Sequence, residues 1–326
     1  MGETVLVVGG AGYIGSVAVS MLLDRGYEVV VFDSLQRGHR EAVDPRALFF
    51  HGDLMDSSRI GEVCRHYRPD VAMHFSAYAL VGESMRHPSM YFRNNFSAGL
   101  NLLDGLVEAG TRMIIFSSTC ATFGIPERIP IREDHPQAPT NPYGESKLMF
   151  EKALMWYDRI HGLRHVNLRY FNAAGATETL GEDHDPETHL IPNVLKVALG
   201  QKEYVSIYGT DYPTPDGTCI RDYIHIRDLC EAHLLAMSLD ESRSYNLGNG
   251  EGYSVLEVIE TARKITGHAI PARSEARRPG DPPVLVGSSE KIKAELGWKP
   301  QFPELSTIIE TAWQWHKTHP NGYSRT

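Results

Sequence analysis

VLVVGGAGYIGS, residues 5–16, runs four apolar residues into glycines at 9, 12 and 15. The apolar run suits a buried strand. IGSVAVSMLLDRG, which begins at Ile14, reads as a helix that closes at Gly26. Glycines at such a strand-to-helix turn allow a tight bend, close backbone approach to a pyrophosphate and close helix–strand packing. Glycines alone are weak evidence; the flanking elements give them weight. The next strand, EVVVFD, ends in Asp33, where a carboxylate can accept from an adenosine ribose hydroxyl. A 2′-phosphate would meet that negative charge, so the acid favours NAD over NADP, although Arg37 nearby speaks the other way.

Working outward, strand-like and helix-like stretches alternate. ALFFHGD and VAMHF read as the third and fourth strands, SMYFRNNFSAGLNLLDGLVEAG as one long helix and RMIIFSS as a fifth strand. YGESKLMFEKALMWYDRIHG is a further helix, followed by the strand HVNLRYFN. Regular alternation of this kind predicts a doubly wound parallel sheet covered on both faces, a Rossmann-type α/β domain. After about residue 172 the rhythm breaks into polar and proline-bearing loops, with the strand-like SYNLGN and two helices coming late. A smaller, irregular second domain is expected there, with the chain passing between the two more than once.

Two more features fall where a dinucleotide would lie. Asp53, after the third strand, could receive an adenine amino group, and HFSAYALVGES, residues 74–84, offers small residues after the fourth. The fifth strand ends in Ser117, Ser118 and Thr119, at the strand end where open parallel sheets bind ligands. NPYGESK, residues 141–147, then places Tyr143 and Lys147 four apart, one helical turn on one face. A tyrosine, with a reference pKa of about 10, needs help to move protons near neutrality. A lysine ammonium and a positive nicotinamide ring would each favour the phenolate.

The chain has 326 residues and a net charge of −9 without a long basic run, which argues against a nucleic-acid groove. Local arginines can still hold phosphates on such a surface. The four cysteines are scattered, with no CxxC pairing, so neither a disulfide framework nor a thiolate zinc site is expected. HDPETH (His184, Asp185, His189) reads as a polar proline-bearing loop, not a metal site, and His74 as a satisfied histidine at a strand end. No apolar run is long enough to span a bilayer, and a cytoplasmic location is expected.

The glycine loop, Thr119, Tyr143 and Lys147 resemble the extended short-chain dehydrogenase/reductase superfamily. Finer motifs, GGAGYIG, GHREAV, VGESM, NPYGESK, LRYFNAAGA, DYPTPDGTCIRDYIH and GDPPVLV, resemble the UDP-glucose (UDP-galactose) 4-epimerase family along nearly the whole chain. The resemblance implies an isomerase that keeps NAD bound through turnover and interconverts UDP-galactose and UDP-glucose. Tyr143 would take the proton from the sugar 4-hydroxyl, Lys147 would hold the nicotinamide ribose, and Thr119 would bridge the sugar oxygen. It implies NAD contacts at Gly9, Gly12, Tyr13, Ile14, Gly15, Asp33, Asp53, Leu54, Phe75, Asn94, Tyr143, Lys147 and Phe171. UDP-sugar contacts would be Asn172, His189, Leu190, Ser206, Tyr208, Arg221, Arg278, Asp281 and Leu285, besides Thr119 and Tyr143. No metal is implied.

The implied division is an NAD-binding domain from 1–171 plus about 218–250, and a UDP-sugar-binding domain from about 172–217 plus 251–326. A homodimer joined by the two long helices as a four-helix bundle is implied too. From the residues alone, Leu102, Met149 and Trp156 on those helices are equally compatible with core packing. Departures from the family pattern are Ala79 in place of a frequent lysine, and His189 in place of a frequent asparagine. Leu285, intermediate in size at the position that gates the sugar pocket, leaves UDP-N-acetylhexosamines as alternative substrates. UDP-glucuronate and UDP-pentoses are further alternatives, as is a non-catalytic NAD sensor, although Tyr143 and Lys147 are both kept. A dehydratase would need an acid pair after Thr119, where Cys120 and Ala121 stand.

Overall fold

The computed structural model describes residues 2–278 and 280–323. The chain forms two compact units, each built from several segments. The first comprises Met1–Gly124, Pro136–Arg169 and Cys230–Tyr245; the second comprises Ile125–His135, Tyr170–Leu229 and Asn246–Thr326.

The first unit is organised by a sheet with seven strands among the described residues. Its first six strands in chain order are β1 (Thr4–Val8), β2 (Glu28–Asp33), β3 (Leu48–His51), β4 (Val71–His74), β5 (Met113–Thr119) and β6 (Arg164–Tyr170). The last, Arg243–Leu247, lies at the edge beside β6, and the order from there is β6, β5, β4, β1, β2, β3. β1 pairs in parallel with both β2 and β4, with Val8 opposite Phe32 on one side and His74 on the other. Every residue of β4 and β5 is buried. That is the near-continuous apolar signature of parallel strands covered on both faces. Strand order reverses between β1 and β4, the position where doubly wound sheets open a crevice for a ligand.

The helices follow their local signals. α1 (Tyr13–Asp24) begins at Gly12, and α2 (Ser57–Tyr67) is capped by Asp56, whose side chain accepts from Arg59 N. The single long helix expected over residues 89–110 is three pieces. After α3 (Val81–Arg86), the chain forms α4 (Pro88–Tyr91), a wide π turn over Phe92–Ser97, and α5 (Ala98–Ala109). Buried Asn95 accounts for the interruption: its amide accepts from Tyr78 N and donates to Tyr78 O, both at 2.9 Å. Turns of this kind mark functional positions in many helices. α6 (Pro142–His161) has Asn141 as cap, accepting from Gly144 N at 2.9 Å, and Pro142 at its first position. Leu102 of α5 is fully buried, in a core cluster with Phe116 and Phe150, whereas Trp156 of α6 is exposed.

In the second unit, the helices Leu190–Ala198, Val255–Thr266 and Leu305–Thr318 share a core with the parallel strands Val205–Tyr208 and Ala272–Glu275. Ile220–Arg221 lies between Tyr253–Ser254 and Val284–Leu285 in a small mixed sheet. No helix of the described residues is long and apolar enough to cross a membrane.

Candidate active site

The glycine loop sits at the reversal of strand order. Gly9 has φ +84°, and a Cβ there would stand 2.5 Å from Ser76 N, on the chain leaving β4. A Cβ on Gly15 would stand 2.1 Å from Gly9 O, so α1 can rest on β1 only without a side chain. Gly12, Tyr13 and Ile14 remain partly exposed. The α1 N-terminus carries no side-chain cap and no acid in its first turn, which suits it to a pyrophosphate. Asp33 accepts from Ala11 N at 2.9 Å and from Leu35 N at 2.8 Å, tying the end of β2 to the loop. Burial raises its carboxyl above the usual range, while those two amides pull it back.

Around that loop, Asp53 accepts from Gln36 Nε2 at 2.8 Å, and Gln36 in turn accepts from the Tyr78 hydroxyl. Leu54 is buried, and its carbonyl accepts from Asn101. The Phe75 ring packs at 4.8 Å from His233, and Asn94 donates to Asn95 within the π turn. The donors and small residues present fit a bound dinucleotide. Gly15→Ala is expected to strain the loop by ~1–3 kcal/mol and weaken NAD binding about tenfold or more. Thermal melting and NAD titration of the variant measure both effects.

The three residues expected to handle the proton, Thr119, Tyr143 and Lys147, come together near the end of β5. The Thr119 side chain lies close enough to the Tyr143 phenol to favour its ionised form, while its hydroxyl oxygen accepts from Ala121 N at 3.1 Å. A Cβ on Gly144 would meet Ala121 O at 2.5 Å, so this glycine lets α6 approach the strand end and sets Tyr143 beside Thr119. Lys147 is buried; its Nζ donates to Ser117 O at 2.8 Å and lies 4.8 Å over the Phe116 ring. Burial pushes its ammonium down to about 7, with Glu151 acting in the opposite sense. Burial pushes the Tyr143 phenol up to about 12, and the Thr119 side chain draws it back.

His74 is a core histidine rather than a satisfied strand-end group. It is buried against Phe116 and Phe150, its Nδ1 finds no hydrogen-bond partner, and burial pushes it down to about 3.

A further set escaped the sequence. Glu151, one turn beyond Lys147, is 3% exposed and takes both Nε and Nη2 of the buried Arg169, together with the Ser118 hydroxyl and Gln137. This paired carboxylate anchors α6 to β5 and β6. The i, i+8 spacing from Tyr143 was the available signal, but a charged pair on a helix reads as a solvent face.

The UDP-sugar candidates other than Thr119 and Tyr143, together with Phe171, belong to the second unit. Arg221 pairs with Asp281, and Leu285 stands opposite Arg221 in the strand register. Arg278 lies 3.9 Å over the Tyr208 ring, on the strand that also carries Ser206. Asn172 donates to Asp222 O, and the Phe171 ring occupies the space a Cβ on Gly287 would need. His189 caps the helix that Leu190 begins, and its ring bonds Glu182. Burial opposes its positive charge, but Glu182 and Glu187 outweigh that and lift the imidazole to about 9, with Arg278 close enough to act against them.

Comparison with known proteins identifies the family. A model of the NAD dependent epimerase/dehydratase family matches residues 5–248. The chain belongs to that family. It is 53% identical to the UDP-glucose 4-epimerase of Streptococcus mutans, over 98% of each chain. Among solved structures, a UDP-glucose 4-epimerase superposes with a TM-score of 0.96 at 50% identity, over 99% of this chain and 100% of the other. The UDP-glucose 4-epimerase of Bifidobacterium longum, solved in complex with NAD+ and UDP, superposes with a TM-score of 0.95 at 38% identity, covering 98% and 100%. Within the family, NAD is the cofactor that the glycine loop and Asp33 suit.

Proposed function

We infer that this chain interconverts UDP-galactose and UDP-glucose by NAD-dependent epimerisation at C4. The observation that carries the reading is Tyr143 beside Thr119 at the end of β5, with buried Lys147 one turn along the same helix. In the forward half, the Tyr143 oxygen takes the proton of the sugar 4-hydroxyl as the C4 hydride departs. Bound NAD supplies the hydride acceptor and later the donor. The 4-keto sugar turns over, and Tyr143 returns the proton to O4 as the hydride reaches the opposite face of C4. One hydride and one proton leave and return, so no net oxidation occurs.

Each group has a physical task. Thr119 donates toward the phenolate oxygen and aligns the proton path. Lys147 contributes a positive charge that water does not screen, because its head is buried against Ser117 O and Phe116. Turning the sugar over requires that the nucleotide be gripped and the hexose left loose. Arg221, Arg278 and His189 supply cations for the diphosphate, and Asp281 supplies an acceptor for a ribose hydroxyl. Leu285 is intermediate in bulk, which keeps UDP-N-acetylhexosamines as a second substrate class. UDP-galactose carrying deuterium at C4 tests the reading. The label is expected in UDP-glucose at C4 without exchange into solvent; its loss to water would refute hydride transfer through a retained cofactor.

Homodimerisation belongs to the same proposal. α6 exposes Met155, Trp156 and Ile160, each more than half accessible, and a neighbouring copy would bury such an apolar patch. Light scattering is expected to give twice the chain mass, falling to one chain for Trp156→Glu; a monomeric parent protein would contradict the interface.

A further inference from the structure

We propose that Glu182, His184, Glu187 and His189, in the second unit, form a closed binding site for a divalent transition metal of the zinc type. The sequence reading of HDPETH as a loop without metal considered Asp185, which is exposed. The folded segment instead brings two glutamates to the histidines, and one donor atom from each of the four residues lies within 4.8 Å of all the others. His184 Nδ1 is 3.2 Å from Glu182 Oε1 and 3.7 Å from Glu187 Oε2. His189 Nδ1 is hydrogen-bonded to the same Glu182 oxygen and stands 3.9 Å from Glu187 Oε1. A tetrahedral ion with ligand bonds of about 2.0–2.2 Å holds its donors roughly 3.3–3.6 Å apart. The separations here straddle that range, from the short His189–Glu182 hydrogen bond up to 4.8 Å, so side-chain movement would be needed to seat the ion.

A second observation points the same way. The Glu187 side chain is 3% exposed, yet its Oε2 makes no hydrogen bond and faces His184. A buried carboxylate oxygen without a donor is costly, and a cation is one of the few partners that satisfies it. Glu182 is buried beside it, so two carboxylates share the space. The donors are also held in place. Glu187 Oε1 accepts from His189 N at 2.8 Å, and Asn193 on the following helix donates to His189 O at 2.7 Å.

The donor set names the metal class. Two imidazoles with two carboxylates suit zinc, whereas magnesium and calcium prefer all-oxygen shells and copper(I) prefers sulfur. Four protein donors leave no position for a substrate, so the ion would be structural, fastening residues 182–189 to the start of the helix Leu190–Ala198. The assignment is independent of the epimerase reading. With the metal on Nδ1, His189 would be a neutral imidazole whose Nε2–H still donates to a phosphate, and the ion itself would supply the positive charge there.

The test uses the full-length protein, stripped with a chelator, dialysed and titrated with Zn2+ against a chromophoric indicator, then separately with Co2+. One ion per chain is expected, with tetrahedral Co2+ bands, no thiolate charge-transfer band, and a higher melting temperature when Zn2+ is bound. His184→Gln and Glu187→Gln should each weaken zinc at least about tenfold. Absence of stoichiometric binding, an octahedral cobalt spectrum, or equal binding in both variants would overturn the proposal. A thiolate band in the parent protein would overturn it as well, by placing the ion on cysteine, and that readout does not depend on how the variants fold.

Discussion

Replacing Tyr143 by phenylalanine lowers kcat for UDP-galactose by about 10³-fold and leaves KM within a small factor. The reason is the division of labour at the end of β5. The ring fills the same space without its hydroxyl, so packing and NAD binding persist while the proton acceptor is lost. Thr119 keeps its bond to Ala121 N and cannot substitute, because its hydroxyl is a far weaker base than a phenolate held by a cation. Steady-state rates, NAD content and melting temperature of the variant separate the outcomes. A rate within tenfold of the parent would remove Tyr143 from the proton path. A loss of NAD or of stability would show the hydroxyl to be structural.

Lys147→Ala should lose about 10²-fold at neutral pH, with a loss that shrinks as pH rises. Burial holds the Tyr143 phenol near 12, well above neutrality, so the phenolate needs a nearby positive charge. On the proposed reading Lys147 supplies it, although burial has brought its own ammonium down to about 7. Removing that charge raises the phenol further. The acid limb of kcat/KM therefore moves to higher pH, and each unit of movement corresponds to ~1.4 kcal/mol of lost charge–charge interaction. Tyr143→Phe should recover at no pH, which distinguishes a lost base from a mistuned one. A Lys147→Ala profile with an unmoved limb would assign the lysine to ribose binding alone.

The placement of these two residues on one helix face was legible in the sequence because it is set locally. A cap, a proline and a four-residue spacing set both side chains on one helix face, and residues 5–33 carry the glycine turn and the acid at the end of β2 in unbroken order. Strand alternation was legible for the same reason, each strand being a short apolar run between turn residues. What escaped depended on contacts distant in sequence. The π turn at Phe92–Ser97 exists because Asn95 finds the Tyr78 backbone seventeen residues away. Glu151 and Arg169 look like surface charges until the fold buries them against Ser118. Residues 182–189 read as a polar loop because its two glutamates gain meaning only when the chain folds them onto the histidines. His74 was misread on similar grounds, since a histidine ending a strand does not reveal that two phenylalanines will enclose it.

The most direct measurement takes purified protein with no added cofactor, supplies UDP-galactose and UDP-N-acetylgalactosamine separately, and resolves the products by chromatography. Conversion of UDP-galactose to UDP-glucose, abolished by Tyr143→Phe, is the predicted result, and the ratio of the two activities reports what Leu285 admits. No conversion of either sugar, even after NAD is supplied, would contradict the account and turn attention to UDP-glucuronate and UDP-pentoses.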